Sequence, residues 1–152
     1  MNTDLKTILF VCTGNTCRSP LAEGIARGKI AAGQIPGDTQ DLFIASAGVF
    51  AGEGMPTSIE TVEALERRGY PTEGSSTPLT KAMIDHADLV LGMTGSHVSS
   101  ARAIAPDSST PIECLDPNGD IEDPIGMGDA VYERLAQHLE NIIPARIAEF
   151  LK

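Results

Sequence analysis

The sequence predicts an α/β protein, with a three-layer, doubly wound fold around a central four-stranded parallel sheet. Short apolar, β-branched runs alternate along the chain with segments whose apolar residues recur at helical spacing. The runs lack polar alternation, which is typical of strands buried on both faces of a parallel sheet. A chain of 152 residues without a linker or repeat has the usual size of one domain, so we expect a single domain over residues 1–152.

Four apolar runs are predicted to be the strands, at residues 7–11, 42–45, 87–93 and 111–115. The first is expected to be central, because all five of its residues are apolar or β-branched. A helix is predicted to begin after it, with Ser19 as the N-cap, Pro20 as the first helical residue and Gly33 as the stop. Two further helices are predicted at residues 59–68 and 96–104.

The last helix is predicted over residues 131–151, where apolar residues recur every three or four positions. Pro144 lies within this pattern and is expected to kink or divide the helix, because its ring removes a backbone donor and crowds the preceding turn. With this helix included, helices cover both faces of the predicted sheet, and its crossovers are expected to be right-handed.

The charge balance argues against polyanionic partners. With 11 Lys and Arg against 21 Asp and Glu, the net charge is -10, and we expect binding neither to nucleic acid nor to an anionic membrane. No run approaches the roughly 20 apolar residues of a membrane span, and residues 1–5 lack the start of a signal peptide, so a cytoplasmic protein is expected. Residues 1–35 nevertheless carry four basic against two acidic side chains, which places any anion site near the N-terminus.

The cysteines and histidines predict no metal site and no cofactor. The three cysteines are an odd and sparse set, which suggests reduced thiols. The three histidines lie far from them in sequence, without the spacing of metal ligands, and are expected to lie at helix or loop surfaces with no special role. These residues are Cys12, Cys17 and Cys114, and His86, His97 and His138.

The loop between the first strand and the first helix is the predicted site, because ligands of open α/β sheets bind beyond the carboxyl ends of strands. Its backbone N–H groups and the following helix dipole could bind an anion. The loop is too short for a nucleotide P-loop and lacks the glycine triplet of a dinucleotide site. Gly14 is expected to permit the strained turn. The residues predicted to bind phosphate are Thr13, Gly14, Asn15, Thr16, Cys17 and Ser19.

A cysteine begins this loop and an arginine ends it, with five residues between them. The positive potential of the N–H groups and of Arg18 favours the thiolate of Cys12, which is then a nucleophile. The guanidinium matches two oxygens of a phosphoryl group, and Ser19 could donate a hydrogen bond to the Cys12 sulfur. Each residue alone has an ordinary structural explanation, but their combination after a buried strand favours catalysis.

This motif resembles that of the low-molecular-weight protein tyrosine phosphatase family, which has Cys, five residues, Arg and Ser near the N-terminus. Further similarities are Ser46-Ala47-Gly48, Pro78-Leu79-Thr80, the segment at residues 87–94 and the late Asp123-Pro124, so the resemblance covers nearly the whole chain. It implies the four-stranded α/β fold and a metal-independent phosphatase that forms a cysteinyl phosphate on phosphoprotein or phosphopeptide substrates. Ser46 is then expected to support the loop from behind.

The resemblance also implies a general acid, an Asp followed by Pro ahead of the last helix. Two such pairs occur, Asp116-Pro117 and Asp123-Pro124. Asp123 is preferred because it precedes the last helix by the family's spacing. Asp116 directly follows the fourth predicted strand, and the neighbouring Asn118-Gly119 favours a turn there.

Departures from the family's pattern bear on the substrate. Members that act on phosphotyrosine usually carry Leu and Ile where Thr13 and Thr16 stand, and an aromatic pair where this chain has Ile125-Gly126. The loop instead resembles the bacterial protein arginine phosphatase branch, in which a polar residue at the Thr16 position is associated with phosphoarginine. The resemblance therefore places phosphoarginine slightly ahead of phosphotyrosine. A His that often supports the loop is replaced by Gly74.

Many relatives have a second cysteine at the position of Cys17, and reversible pairing with Cys12 would protect the nucleophile from irreversible oxidation. A small buried residue that packs the loop is the alternative. Two other functions stay open. Thioredoxin-coupled arsenate reductases share the fold but need two further cysteines, of which only Cys114 remains, and a phospho-binding module without catalysis would have lost Cys12 or Asp123. A monomer is expected.

Overall fold

The computed structural model describes residues 5–152, so Met1–Asp4, on which the expected absence of a signal peptide partly depends, lie outside the described residues. A central sheet has the strand order β2-β1-β3-β4, and every neighbouring pair is parallel. The predicted four-stranded parallel sheet is confirmed, with the first strand at its centre. The strands are β1 (Lys6–Cys12), β2 (Leu42–Gly48), β3 (Leu89–Gly92) and β4 (Ile112–Cys114).

Helices cover both faces of this sheet, which gives three layers. Apolar residues of α1, α2 and α5 form a core on one face, and those of α3 and α4 form a second core on the other. The predicted three-layer α/β fold is therefore confirmed. The helices are α1 (Arg18–Ala31), α2 (Ile59–Arg67), α3 (Lys81–His86), α4 (Gly95–Ile104) and α5 (Asp129–Leu151).

The position of β1 between two cores explains why its sequence is an unbroken apolar run. Ile8 and Phe10 contribute to the core on the α1 and α5 side, whereas Leu9 and Val11 contribute to the core on the α3 and α4 side. Burial of each such side chain stabilises the fold by about 1.5–3 kcal/mol. Because β1 pairs with β2 and β3 in parallel, the carboxyl ends of all three strands meet at the edge from which the loop after Cys12 emerges.

The start of α1 differs from the prediction. The helix begins at Arg18, and its N-cap is Cys17, whose side chain makes no capping hydrogen bond. Ser19 lies inside the first turn, where it is fully buried, so its predicted capping role is wrong. Pro20 is also tolerated there, because the N–H groups of the first turn have no helical acceptor.

α5 is not divided at Pro144, although the sequence left that open. A single helix runs from Asp129 to Leu151 with Pro144 inside it. Leu139, Ile143 and Ile147 are buried on both sides of the proline in one core cluster. Tertiary packing therefore holds the helix together across the missing backbone hydrogen bond.

The sequence also failed to predict α3. Of its six residues only Ile84 is buried, so no helical periodicity marks it. Its start is set locally, because the Thr80 hydroxyl accepts a hydrogen bond from the Met83 backbone N–H.

Within residues 5–152 no helix is both long and apolar enough to cross a lipid bilayer.

Candidate active site

The β1–α1 loop (residues 12–18) is held in place by the segment that follows β2. The carbonyl oxygens of Cys12, Thr13 and Thr16 accept hydrogen bonds from the backbone N–H groups of residues 49, 50 and 58. None of the N–H groups of residues 13–17 donates to another residue that the structure describes. The loop therefore presents several unpaired N–H groups at the start of α1, the arrangement that binds anions.

The strained position in this loop is Asn15, not Gly14 as the sequence suggested. Asn15 has a φ of 57° and is 1% exposed, whereas Gly14 does not have a positive φ. Its side chain stabilises this conformation, because its Nδ2 donates to Ser19 Oγ at 2.7 Å and its Oδ1 accepts from the Thr77 N–H at 2.9 Å. Asparagine tolerates the left-handed region better than most residues, so the loop needs no glycine at the turn.

Gly48, at the end of β2, is the glycine that the loop requires. A Cβ there would lie 2.4 Å from the carbonyl oxygen of Thr13 and 3.0 Å from the backbone nitrogen of Asn15. Any side chain at residue 48 would therefore push the loop away from the sheet. The Ser46-Ala47-Gly48 segment was noted in the sequence, but the reason for its glycine becomes apparent only from this close approach.

Ser46 lies behind the loop, as expected for a supporting residue. Its hydroxyl accepts a hydrogen bond from Asn15 Nδ2 at 3.0 Å and donates to the carboxylate of Glu23 at 2.5 Å. Glu23 in turn forms an ion pair with Arg27 at 2.8 Å. Gly74 stands where the family often has a supporting His, and a Cβ at this residue would meet no atom within 4 Å. The hydrogen bonds behind the loop run instead through Ser46 to Glu23 and Arg27.

Cys12 ends β1 at the base of the loop and is 3% exposed. Its sulfur lies 2.9 Å from the Ser19 hydroxyl. Because Ser19 Oγ already accepts a hydrogen bond from Asn15, its own proton is free to point at the Cys12 sulfur. The predicted donor to the sulfur is thus held in the required orientation.

Arg18 and Asp123 meet above Cys12. Arg18 is 7% exposed, and its Nη1 donates to the Ile121 carbonyl at 3.0 Å, which orients the guanidinium. Its Nη2 lies 3.8 Å from the Asp123 carboxylate, which is half exposed to solvent. One pocket contains all three predicted catalytic side chains, and its lining consists of Cys12, Thr13, Gly14, Thr16, Cys17, Arg18, Asp123 and Ile125.

Asp116 lies outside this pocket in a turn, where the sequence placed it. Its Oδ1 accepts from the Asn118 N–H, and its Oδ2 lies 2.8 Å from His138 Nε2. The Asn118 hydrogen bond and the His138 contact lower the pKa of this carboxyl below its usual value, despite its burial. An ionised Asp116 therefore helps hold the loop that carries Asp123.

His97 was expected at a surface, and that prediction is wrong. It is 4% exposed in the first turn of α4, and its Nε2 lies 2.8 Å from the Thr13 hydroxyl. Burial and the nearby Arg18 charge lower the pKa of His97 to about 4, so the ring is neutral at physiological pH. Its only sequence signal is the Thr94-x-x-His97 spacing of a helix start, which resembles a capping box with His in place of Glu or Gln.

Tyr132 is a second residue that the sequence analysis missed. Its hydroxyl lies 3.4 Å from the Cys17 sulfur, and both side chains are buried. Burial and the contact with Cys17 raise the pKa of Tyr132, which therefore stays protonated.

All three cysteines are free thiols in this structure, so the Cys12–Cys17 disulfide stays a prediction. Within residues 5–152 no three His, Cys, Asp or Glu side chains cluster as ligands for a metal ion.

Comparison with known proteins identifies relatives of the whole domain. A family model described as low molecular weight phosphotyrosine protein phosphatase matches residues 7–152. A protein-arginine-phosphatase of Geobacillus stearothermophilus is 38% identical over 150 residues, which cover 95% of each chain. The low molecular weight protein-tyrosine-phosphatase PtpB of Staphylococcus epidermidis is 34% identical over 139 residues, which cover 90% of this chain and 93% of that protein.

A solved structure shares the architecture. The arginine phosphatase YwlE, in a form in which a serine replaces the active-site cysteine and is phosphorylated, superposes with a TM-score of 0.85. The two sequences are 31% identical, and the match covers 95% of each chain. The geometry around Cys12 is thus found in a chain whose relatives include both arginine and tyrosine phosphatases.

Proposed function

The chain belongs to the low molecular weight phosphotyrosine protein phosphatase family and is a protein phosphatase, and from that premise we propose that Cys12, Arg18 and Asp123 dephosphorylate phosphoproteins through a cysteinyl phosphate. One observation carries the proposal. The Cys12 sulfur lies at the base of a loop whose N–H groups donate to no other residue in the range 5–152, in a pocket that also contains the guanidinium of Arg18 and the carboxyl of Asp123. The proposed nucleophile, anion-binding donors and proton donor therefore belong to one pocket, which supports the proposal.

In the first step the Cys12 thiolate attacks the phosphorus in line with the leaving group. An S–P bond forms while the bond from phosphorus to the substrate oxygen or nitrogen breaks, and protonated Asp123 gives its proton to the departing atom. The loop N–H groups and Arg18 bind the phosphoryl oxygens, whose negative charge they stabilise in the transition state. The hydrogen bond from Arg18 to the Ile121 carbonyl supports this role, because it fixes the guanidinium before substrate arrives.

In the second step water attacks the cysteinyl phosphate. Asp123, now a carboxylate, accepts a proton from the water, the S–P bond breaks, and Cys12 leaves as a thiolate that the Ser19 hydroxyl stabilises. The phosphorylated serine in the related YwlE structure supports a phosphoryl group on the corresponding side chain. No metal ion is needed in this scheme, because protein side chains fill each role.

For the substrate we propose phosphoarginine ahead of phosphotyrosine. Thr16 lines the pocket, and its hydroxyl could accept a hydrogen bond from a guanidino N–H of phosphoarginine. The phenyl ring of phosphotyrosine has no N–H to donate to this hydroxyl. The pocket is also lined by Ile125, an aliphatic side chain that is 62% exposed, and by no aromatic side chain among the described residues. The similarity to arginine phosphatases over 95% of the chain supports the same preference.

The mechanism is tested by replacing the nucleophile. We expect Cys12→Ser to lower kcat for a generic aryl phosphate by at least about 10³-fold, since a neutral hydroxyl cannot replace the thiolate. Cys114→Ser is the matched control, because Cys114 is half-buried in β4 and does not line the pocket. Activity of Cys12→Ser equal to that of Cys114→Ser would refute the mechanism.

Substrate preference needs a different comparison. Peptides of one sequence that carry either phosphoarginine or phosphotyrosine give the ratio of the two kcat/KM values, and we expect the ratio to favour phosphoarginine. Thr16→Ile should shift this ratio toward phosphotyrosine by about tenfold or more, because a buried guanidino group would lose its acceptor. If the ratio does not move, Thr16 does not set the preference.

A further inference from the structure

Thr13 and His97 form a contact that the proposed mechanism does not use. Thr13 is the first residue after Cys12, is exposed, and lines the pocket. His97 approaches it from α4, which follows β3, the neighbour of β1 in the sheet. The 2.8 Å separation between His97 Nε2 and Thr13 Oγ1 thus connects a buried imidazole to the wall of the pocket.

The position of the imidazole proton follows from the other ring nitrogen. His97 Nδ1 accepts a hydrogen bond from the backbone N–H of Thr94 at 3.1 Å, so it cannot carry a proton. In a neutral ring the proton is therefore on Nε2, which donates it to Thr13 Oγ1. Burial and the charge of Arg18 favour the neutral ring, against the weaker opposing effect of Asp120 and Asp123.

The hydrogen bond from His97 fixes the orientation in which the Thr13 hydroxyl can donate its own proton. A hydroxyl has one proton to donate, and here a lone pair on its oxygen is occupied by the His97 N–H. Within residues 5–152 the Thr13 side chain makes no second hydrogen bond. Its proton is consequently free for an acceptor in the pocket, which in the proposed mechanism is an oxygen of the phosphoryl group.

We propose that His97 is a positioning residue that holds the Thr13 hydroxyl as a hydrogen-bond donor to the bound phosphoryl group. This inference rests on the phosphatase activity proposed above and adds a side-chain donor to the N–H groups of the loop. Without His97 the hydroxyl could rotate or present its lone pairs to the anion, and part of its contribution would be lost. A donor that is oriented in advance costs no reorganisation when charge develops on the oxygens.

Substitutions at both residues test the coupling between Thr13 and His97. Thr13→Val keeps the shape of the side chain and removes the hydroxyl, whereas Thr13→Ser retains it. His97→Gln keeps an acceptor for the Thr94 N–H, as in an ordinary capping box, but its single head group cannot reach Thr13 at the same time. His86→Gln is the matched control, because His86 is exposed on α3 and its side chain forms a hydrogen bond only to the Ala82 carbonyl among the described residues.

We expect Thr13→Val to lower kcat/KM for an aryl phosphate by about tenfold, the effect of one hydrogen bond to a charged group, and His97→Gln to lower it about threefold to tenfold. The double variant should be no worse than Thr13→Val alone, since His97 acts through the hydroxyl. Thr13→Ser should keep most of the activity, and His86→Gln should match the wild type. Additive losses in the double variant would overturn the inference.

Two readouts do not depend on turnover. Binding of inorganic phosphate, followed by ³¹P NMR titration, should weaken in Thr13→Val and His97→Gln in the same non-additive manner. The ¹⁵N shifts of the His97 ring should show a neutral imidazole protonated at Nε2, and protonation at Nδ1 instead would overturn the inference. If Cys12→Ser retains activity while phosphate binding shows the coupling, the proposed mechanism fails and this inference stands. If the mechanism holds but the losses add, the inference alone fails.

Discussion

Two hydroxyl groups near Cys12, one on the buried Ser19 behind the loop and one on Thr13 in the pocket wall, are oriented by the same principle, which operates on single residues. Ser19 accepts a hydrogen bond from Asn15 and Thr13 accepts one from His97, so in both cases the hydroxyl proton is left for the reaction centre. Ser19 directs its proton at the Cys12 sulfur, and Thr13 is free to direct its proton at the phosphoryl group. The polar residues behind the loop therefore decide which groups act as donors within it.

The Cys17 thiol is the residue for which we predict a protective role. Peroxide should convert Cys12 to a sulfenic acid, and attack by the Cys17 thiol should give a Cys12–Cys17 disulfide and water. Wild-type enzyme treated with peroxide should then regain most of its activity in dithiothreitol. Cys17→Ala should regain little, because its sulfenic acid proceeds to the irreversible sulfinic acid. Activity assays together with mass spectrometry of the Cys12 peptide measure both outcomes.

Cys114→Ala provides the control for this experiment, since Cys114 is not part of the pocket lining. It should recover from peroxide as the wild type does. Equal recovery by Cys17→Ala would contradict the protective role. Cys17 would then be a small buried residue that packs against Tyr132.

The sequence predicts the residues of the site that carry chemistry better than the residues that shape it. Cys12 and Arg18 were predicted from the loop motif and Asp123 from the family resemblance, and the structure brings all three to one pocket. His97 could not be found in this way, because its partner Thr13 is 84 positions away in the chain. The role of Gly48 was equally hidden, since it depends on the distance between two strand ends.

At the scale of elements, hydrophobic periodicity predicted the long elements and missed the locally determined ones. Continuous apolar runs predicted all four strands, whose ends then differ by a few residues from the observed ones. α3 has one buried residue, so periodicity carries no information about it. The start of α1 was misplaced because serine is a preferred N-cap residue. In the structure the Ser19 hydroxyl instead forms a hydrogen bond with the Cys12 sulfur.

Pro144 leads to a prediction about the stability of α5. Its ring removes one backbone hydrogen bond from the helix interior, and the helix continues only because packing on both sides holds it. Pro144→Ala should therefore raise the free energy of unfolding by about 1–3 kcal/mol. Chemical denaturation measures the change, and kcat for an aryl phosphate should stay unchanged because residue 144 does not line the pocket. A lower stability of Pro144→Ala would mean that the proline has a packing role in α5.

At the scale of the whole molecule, the net charge of -10 and an anion-binding pocket coexist because they act over different distances. In the proposed site the loop N–H groups and Arg18 would contact a bound anion directly, whereas distant carboxylates are screened beyond about 8 Å at physiological ionic strength. We expect the acidic surface to act instead on the rest of a protein substrate. It should favour segments that are neutral or basic around the phosphorylated residue, in agreement with the proposed preference for phosphoarginine.

The buried neutral His97 predicts how the stability of the whole molecule depends on pH. Its pKa is about 4 in the folded protein against 6.5 in an unfolded chain. Between these values the unfolded chain binds a proton that the folded protein does not, so the stability present above pH 6.5 is lost as the pH falls toward 4. Between pH 7 and pH 5 the loss should be about 2 kcal/mol at most.

The carboxylates of Asp116, Glu133 and Glu140 also have lowered pKa values, but their contribution is present above pH 4.5 and is lost below it. Chemical denaturation between pH 5 and pH 7 therefore avoids the range in which these carboxylates contribute, and the histidine variants assign the remaining change. His97→Gln should remove most of the pH dependence in this window, because the glutamine does not titrate, whereas the exposed His86→Gln should retain it. A wild-type slope equal to that of His97→Gln would mean that His97 becomes protonated in the folded protein as readily as in the unfolded chain. The neutral imidazole that orients Thr13 would then be ruled out.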